Sequence, residues 1–168
     1  MKNIKLFTVL FILFISISSY SQNCSNVFIT TKYSIEHNIK GSLHQLPTIQ
    51  LQIGSMLNDY FGVNLDMSHD LDNCTHSMKR IGVNTIYQFN SINSFVTPLI
   101  SLGIGHKNYE IDNKWSYNGF DMKLSAMVDI PIYNNLCLNI GTSISKGWFN
   151  SFRDEWIWCN NVGIILIY

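Results

Sequence analysis

The chain has 168 residues, 46% of them hydrophobic and only 13% charged, with eleven basic and eleven acidic side chains. That charge content is about half of what an ordinary soluble domain carries. The 22 aromatic residues exclude a disordered chain, and zero net charge removes the simplest case for a nucleic acid or other polyanionic partner.

The first stretch carries Lys2 and Lys5, an apolar run from Leu6 to Ile17, and small residues Ser16, Ser18, Ser19 and Ser21. This is the three-part layout of a secretory signal peptide, and the run is short of the ~20 apolar residues that a membrane helix needs. Cleavage after Ser21 is expected. It divides the chain into a signal peptide, 1–21, and a single mature domain, 22–168, that is exported and mildly acidic.

Beyond residue 22 the dominant period is two, the signature of half-buried strands. In the first run Val27, Ile29, Thr31, Tyr33 and Ile35 alternate with Phe28, Thr30, Lys32, Ser34 and Glu36, and in the second Ile49, Leu51 and Ile53 alternate with Gln50, Gln52 and Gly54. The third sets Phe61, Val63, Leu65 and Met67 against Gly62, Asn64 and Asp66. The fourth sets Ile81, Val83, Thr85, Tyr87 and Phe89 against Arg80, Gly82, Asn84 and Gln88, with Ile86 out of pattern. The fifth places Val96, Ile100, Leu102 and Ile104 opposite Thr97, Ser101, Gly103 and Gly105, interrupted by Pro98. The sixth runs from Phe120 to Ile132 opposite Asp121, Lys123, Ser125 and Asp129, with Met127 as its exception. The seventh turns Leu136, Leu138, Ile140 and Ile144 away from Asn139, Gly141, Ser143 and Ser145. The eighth turns Val162, Ile164, Leu166 and Tyr168 away from Asn161 and Gly163, blurred by Ile165 and Ile167. Eight strands are predicted.

Their connections alternate too. Short turns fall at Leu57 to Asp59, Ser91 to Asn93 and Tyr133 to Asn135, and longer polar stretches at 37–45, 69–77, 108–118 and 147–155. Short turns at one end and long loops at the other predict an all-β fold, an eight-stranded antiparallel up-and-down transmembrane β-barrel. A soluble lipocalin-like carrier would turn the apolar set inward and put charge in water. Here the polar set is mostly Asn, Gln, Ser and Gly, a poor aqueous surface but a good filling for a narrow lumen. Aromatics fall in two bands: Phe61, Phe89, Phe95, Tyr133 and Tyr168 at the short-turn ends, and Tyr33, Tyr109, Trp115, Tyr117, Phe120, Trp148, Phe149, Trp156 and Trp158 towards the long loops. Such bands match the two interfaces of a bilayer. Leu65, Val83, Leu124 and Ile140 are then expected to contact lipid, and Asn64, Asn84, Lys123 and Asn139 to face the lumen. Lys32, Glu36, Asp66, Arg80, Lys123 and Asp129 share lumen parity and are expected to pair into a polar network that blocks passage.

Gly82 to His106, GVNTIYQFNSINSFVTPLISLGIGH, and the terminal VGIILIY together resemble the small outer-membrane barrels typified by OmpA-like and OmpX-like proteins of porin-family type. The resemblance lies in an aromatic-x-aromatic strand end, a tight turn, a small-x-Gly-x-Gly strand and a C-terminal aromatic. Thr97-Pro98 departs from the Pro-Tyr of many relatives. The resemblance implies a bacterial outer-membrane location and recognition of the C-terminal strand by the barrel-insertion machinery. The segment SYSQ, which spans the expected cleavage point after Ser21, is similar to those of Bacteroidetes-type bacteria.

Some barrels of that membrane are lipid-modifying enzymes, whose deacylase type resembles His-x-Ser-Asn. His37, His44 and His106 lack that context, and no nucleophile, base and orienting group stand out, so no catalytic residue is expected. All five histidines fall at the predicted outer rim at irregular spacing, which gives no metal site, and no phosphate loop or other cofactor motif is present. Four cysteines in an exported chain favour disulfides. Of three pairings, strand ends favour Cys24 with Cys137 and Cys74 with Cys159, because Cys137 and Cys159 begin at opposite ends of the barrel. Free thiols remain the alternative, especially for the first pair. The sequence thus predicts a monomeric barrel with a structural or surface-interaction role, in contact with outer-membrane lipid and an unidentified extracellular ligand.

Overall fold

A strand in an apolar solvent needs partners for its backbone groups on both edges, and closing eight strands into a ring supplies them with no edge left over. The computed structural model describes residues 27–39, 45–71, 76–90, 95–111, 115–149 and 155–168. The expected signal peptide lies outside these residues. The described elements are β1 (Val27–Asn38), β2 (Gln45–Met56), β3 (Phe61–Asp70), β4 (His76–Gln88), β5 (Thr97–Ile111), β6 (Trp115–Tyr133), β7 (Leu136–Phe149) and β8 (Glu155–Ile167). Each pairs antiparallel with the next, and β8 pairs with β1 to close the barrel. All eight predicted strands are present, in the predicted order.

The register fixes the shape. From Phe28 the ladder runs through Gly54, Asn64, Asn84, Gly103, Lys123, Ser145 and Ile157 and returns to β1 at Asn38, ten residues further along. Ten residues of about 3.3 Å against eight interstrand spacings of about 4.8 Å incline the strands by roughly 40°, within the usual range for barrels. An eight-stranded ring of this kind is just wide enough for its own side chains.

The apolar set points outward: Val83, Leu102, Leu124, Ile140 and Ile164 are exposed on the outer surface, while Asn64, Asn84, Ser125 and Asn139 are buried inside. This is the reverse of a soluble carrier. Leu65 lies on the outer face but is half-buried among its neighbours. At the short-turn end the rings of Phe61 and Phe89 meet Tyr87 edge-on at 5.0 and 4.8 Å. At the other end Lys146 lies over the rings of Trp148 and Trp156, 5.1 and 5.7 Å from their centroids. Phe149 departs from the expected outer band. Its parity on β7 is inward, and a Cβ at Gly147 would meet its ring.

The residues that break the alternation have a common explanation. Ile86, Met127 and Ile165 share inward parity with their polar neighbours, and with Phe28 and Leu99 they form a buried apolar cluster at the short-turn end of the lumen, flanked by Met56, Cys137 and Ile167. Pro98 is accommodated because β4 has ended at Gln88, paired with Leu99. One residue beyond, the Pro98 carbonyl accepts from the Phe89 amide, and no amide is required of the proline.

Strand pairing reaches into the stretches expected to be long loops, furthest between β5 and β6. Asn108 to Asn118 is paired up to Ile111 opposite Trp115, and 147–155 is paired at Gly147 with Glu155. Backbone pairing requires no apolar side chain, so the ladders continue past the point where the apolar signal stops.

Candidate functional site

The candidate site is the lumen, where the β-strands project buried charged side chains towards one another. Arg80 on β4 is its hub. Its Nε donates to both oxygens of Asp121 on β6, at 2.9 and 2.7 Å, and its Nη1 donates to Asp66 on β3. Gln50 on β2 donates to the same Asp66 oxygen at 2.7 Å, and the Lys123 ammonium stands 3.8 Å from it. Gln50, Asp66, Arg80 and Asp121 are all buried. A guanidinium is suited to this place because its planar fork serves two carboxylates at once.

Space for that fork comes from glycine. A Cβ at Gly105 would come within 2.8 Å of the Arg80 guanidinium carbon and 2.7 Å of Asp121, and one at Gly82 within 2.6 Å of Asp66. At Gly103 a Cβ would overlap the side chain of Asn84, which itself donates to Asn64. The small-x-Gly-x-Gly stretch of β5 is therefore the thin wall against which the polar cluster fits. Gly103→Val should impair assembly, because overpacking costs about 1 to 3 kcal/mol. Its fraction of heat-modifiable, folded protein should fall well below that of Thr85→Val on the outer face.

All six residues expected in the lumen network do face inward, but they form separate groups. Asp66, Arg80 and Lys123 belong to the central cluster. Glu36 pairs instead with Lys107, 3.5 Å away near the outer end, and Asp129 accepts from Asn139 near the floor. Lys32 has no ion-pair partner among the described residues; its Nζ donates to the Met127 sulfur at 3.0 Å. Strand tilt is the reason, since it sets residues of the same parity at different heights. Asp121 and Lys107 were missing from the expected set. Asp121 has the parity of Lys123, and Lys107 continues the parity of Gly103 and Gly105 into a stretch that reads as loop.

The cluster divides the interior. Beside Glu36 and Lys107 lies a pocket of about 10 Å³, room for about one water. Below the cluster a cavity of about 270 Å³ reaches the β2–β3 turn.

Cys137 and Cys159 are free thiols, so the structure has neither expected disulfide. Their expected partners, Cys24 and Cys74, lie outside the described residues. Cys159 is buried inside the barrel opposite Ser143 and Glu36, turned away from the rim where a loop cysteine would meet it. Cys137 pairs with Ile165 and Cys159 with Ser143, which sets the two well apart along β8. His69, exposed on the outer face, touches the buried Asp70 at 3.2 Å, and His106 meets Phe120 edge-on at 5.7 Å as part of the outer aromatic band. His44 lies outside the described residues. Among the described residues, no group of three or more His, Cys, Asp and Glu is placed to hold a metal ion.

No protein-family model matches the chain, and no curated protein does. Solved structures do. Neisserial surface protein A superposes with a TM-score of 0.70 at 13% identity, over 84% of this chain and 96% of that one. A major outer membrane protein from Thermus thermophilus gives 0.60 at 10% identity, over 84% and 99%. The outer membrane enzyme PagL gives 0.53 at 9% identity, over 82% and 98%. These likenesses establish the small eight-stranded barrel. A fold shared by a surface protein and an enzyme does not choose between their activities.

Proposed function

We propose that this chain is an integral protein of the bacterial outer membrane with a structural or surface-interaction role, and that it is not a general pore. The observation that carries the proposal is the inverted barrel: an apolar outer surface, banded by aromatic side chains at both ends, around a charged and largely paired interior. Such a surface is stable in lipid and would aggregate in water. Outer-membrane lipid is the obligatory partner. The last strand, closing on β1 and ending in an exposed aromatic, Tyr168, is the segment that the barrel-insertion machinery would engage. The β5–β6 ladder, which continues past Phe120 to Ile111 opposite Trp115, offers a platform for an extracellular ligand. Closure of the strands leaves no free sheet edge to pair with a second copy, which supports a monomer.

Membrane fractionation with a gel of heated and unheated samples tests the location. The protein is expected in the outer-membrane fraction, compact unheated and shifted on boiling; recovery in the soluble periplasm would overturn the proposal. In a planar bilayer, verified monomer should give no sustained large conductance, since porins with open channels use about 16 to 18 strands. Reproducible open channels would make transport the leading function.

A further inference from the structure

The cavity below the charged cluster brings a buried lysine next to an apolar cluster. Its volume, about 270 Å³, lies just under the ~300 to 1,000 Å³ of small-molecule sites, in a lumen that eight strands ordinarily fill with side chains. Its lining joins the apolar cluster of Phe28, Ile86, Leu99, Met127 and Ile165 to neutral polar groups such as Gln52 and Asn139, and it reaches the short-turn mouth at Asn58 and Asp59. The cation in this lining is Lys32. Its side chain is buried and lines the cavity, and it lies in space left by Gly163, where a Cβ would come within 2.6 Å of the lysine Cγ. Its ammonium donates to a thioether, Met127 Sδ, which is a weak acceptor. Asp129 lines the same cavity and attracts Lys32 through space, but it forms no ion pair with it and accepts its hydrogen bond from Asn139, while Asp66 is taken up by Arg80 and Gln50. A buried ammonium calls for a better partner than sulfur.

We propose that this cavity is a binding site for a medium-chain carboxylate, entered from the short-turn end, with the carboxylate on Lys32 Nζ and the acyl chain against the apolar cluster. A carboxylate replaces the weak N–H···S contact with a charge-assisted hydrogen bond, and the apolar part of the lining accepts methylenes that would otherwise meet water. The site lies at the opposite end of the barrel from the proposed extracellular platform and is independent of it. The small volume sets the length: each added methylene should tighten binding about fourfold until the chain outgrows the cavity.

The test uses the detergent-solubilised, heat-modifiable barrel and octanoate labelled with carbon-13 at its carboxyl, followed by NMR against empty micelles. A distinct bound carboxyl resonance saturating at one per barrel is expected, with affinity rising from butyrate through hexanoate to octanoate. Lys32→Met should abolish it by removing the charge. Leu99→Trp should abolish it by filling the cavity while Lys32 stays in place. Either variant suffices, provided it retains the heat-modifiable fold. Octanol, which lacks the charge, should fail to displace octanoate at equal concentration. No saturable resonance above that of empty micelles, a resonance that survives either substitution in a folded variant, or equal competition by octanol would overturn the proposal.

Discussion

Arg80→Met should cost the barrel about 3 to 5 kcal/mol, because it strands two carboxylates, Asp66 and Asp121, in a buried site. Asp66 would keep Gln50 at 2.7 Å and Lys123 at 3.8 Å, but Asp121 would lose both bonds from the guanidinium Nε. Arg80→Lys should fall between the two, since an ammonium supplies charge without the fork that reaches both partners. The triple substitution Arg80→Met, Asp66→Asn, Asp121→Asn should recover part of the loss, because it removes both stranded carboxylates but leaves Lys123 without the carboxylate that stands 3.8 Å from it. Denaturant unfolding in lipid vesicles, read by the heat-modifiable gel shift, distinguishes these outcomes. A methionine variant as stable as the parent, or a triple variant no better than the single, would show that the cluster is not what holds the lumen together.

The barrel was legible because its exterior obeys one rule along every strand. Leu124 and Lys123 differ by one position and sit on opposite faces, and that parity is visible without a structure. What parity does not show is height. Lys32, Asp66 and Asp129 look like members of one network in sequence. Ten residues of shear place Asp129 beside Asn139 near the floor and Asp66 beside Arg80 in the centre, while Lys32 bonds to Met127. The same limit explains Ile86, Met127 and Ile165, which read as errors in the pattern and are the apolar floor. Lys107 was hidden for a different reason. The ladder between β5 and β6 continues into a stretch of Asn, Tyr and Glu, where neither face is apolar and the period of two carries no signal. Cys137 and Cys159 show the limit of composition: export favours disulfides, but inward parity turns the sulfur of Cys159 into the lumen.

The orientation of the faces gives the other large effect. Leu124 lies on the outer surface, 49% exposed, between Leu102 and Ile144 on the adjacent strands, in the middle of the apolar band. Leu124→Arg should cost roughly 2 to 4 kcal/mol, the penalty for an arginine at the bilayer midplane. Ile132, on the same strand and the same face but next to the β6–β7 turn, lies where the penalty falls to about 0 to 1 kcal/mol. Ile132→Arg should therefore leave the heat-modifiable form nearly intact while Leu124→Arg loses much of it. The neighbouring lumen position is no neutral control for an arginine: Ser125 is buried between Ser101 and Ser143, so a long side chain there would overpack the interior. Ser125→Ala, which removes one small polar group, should be mild. Equal damage from the two arginines would mean that depth in a bilayer is not what the outer face senses. Greater damage at Ile132 than at Leu124 would reverse the assignment of the membrane midplane along β6.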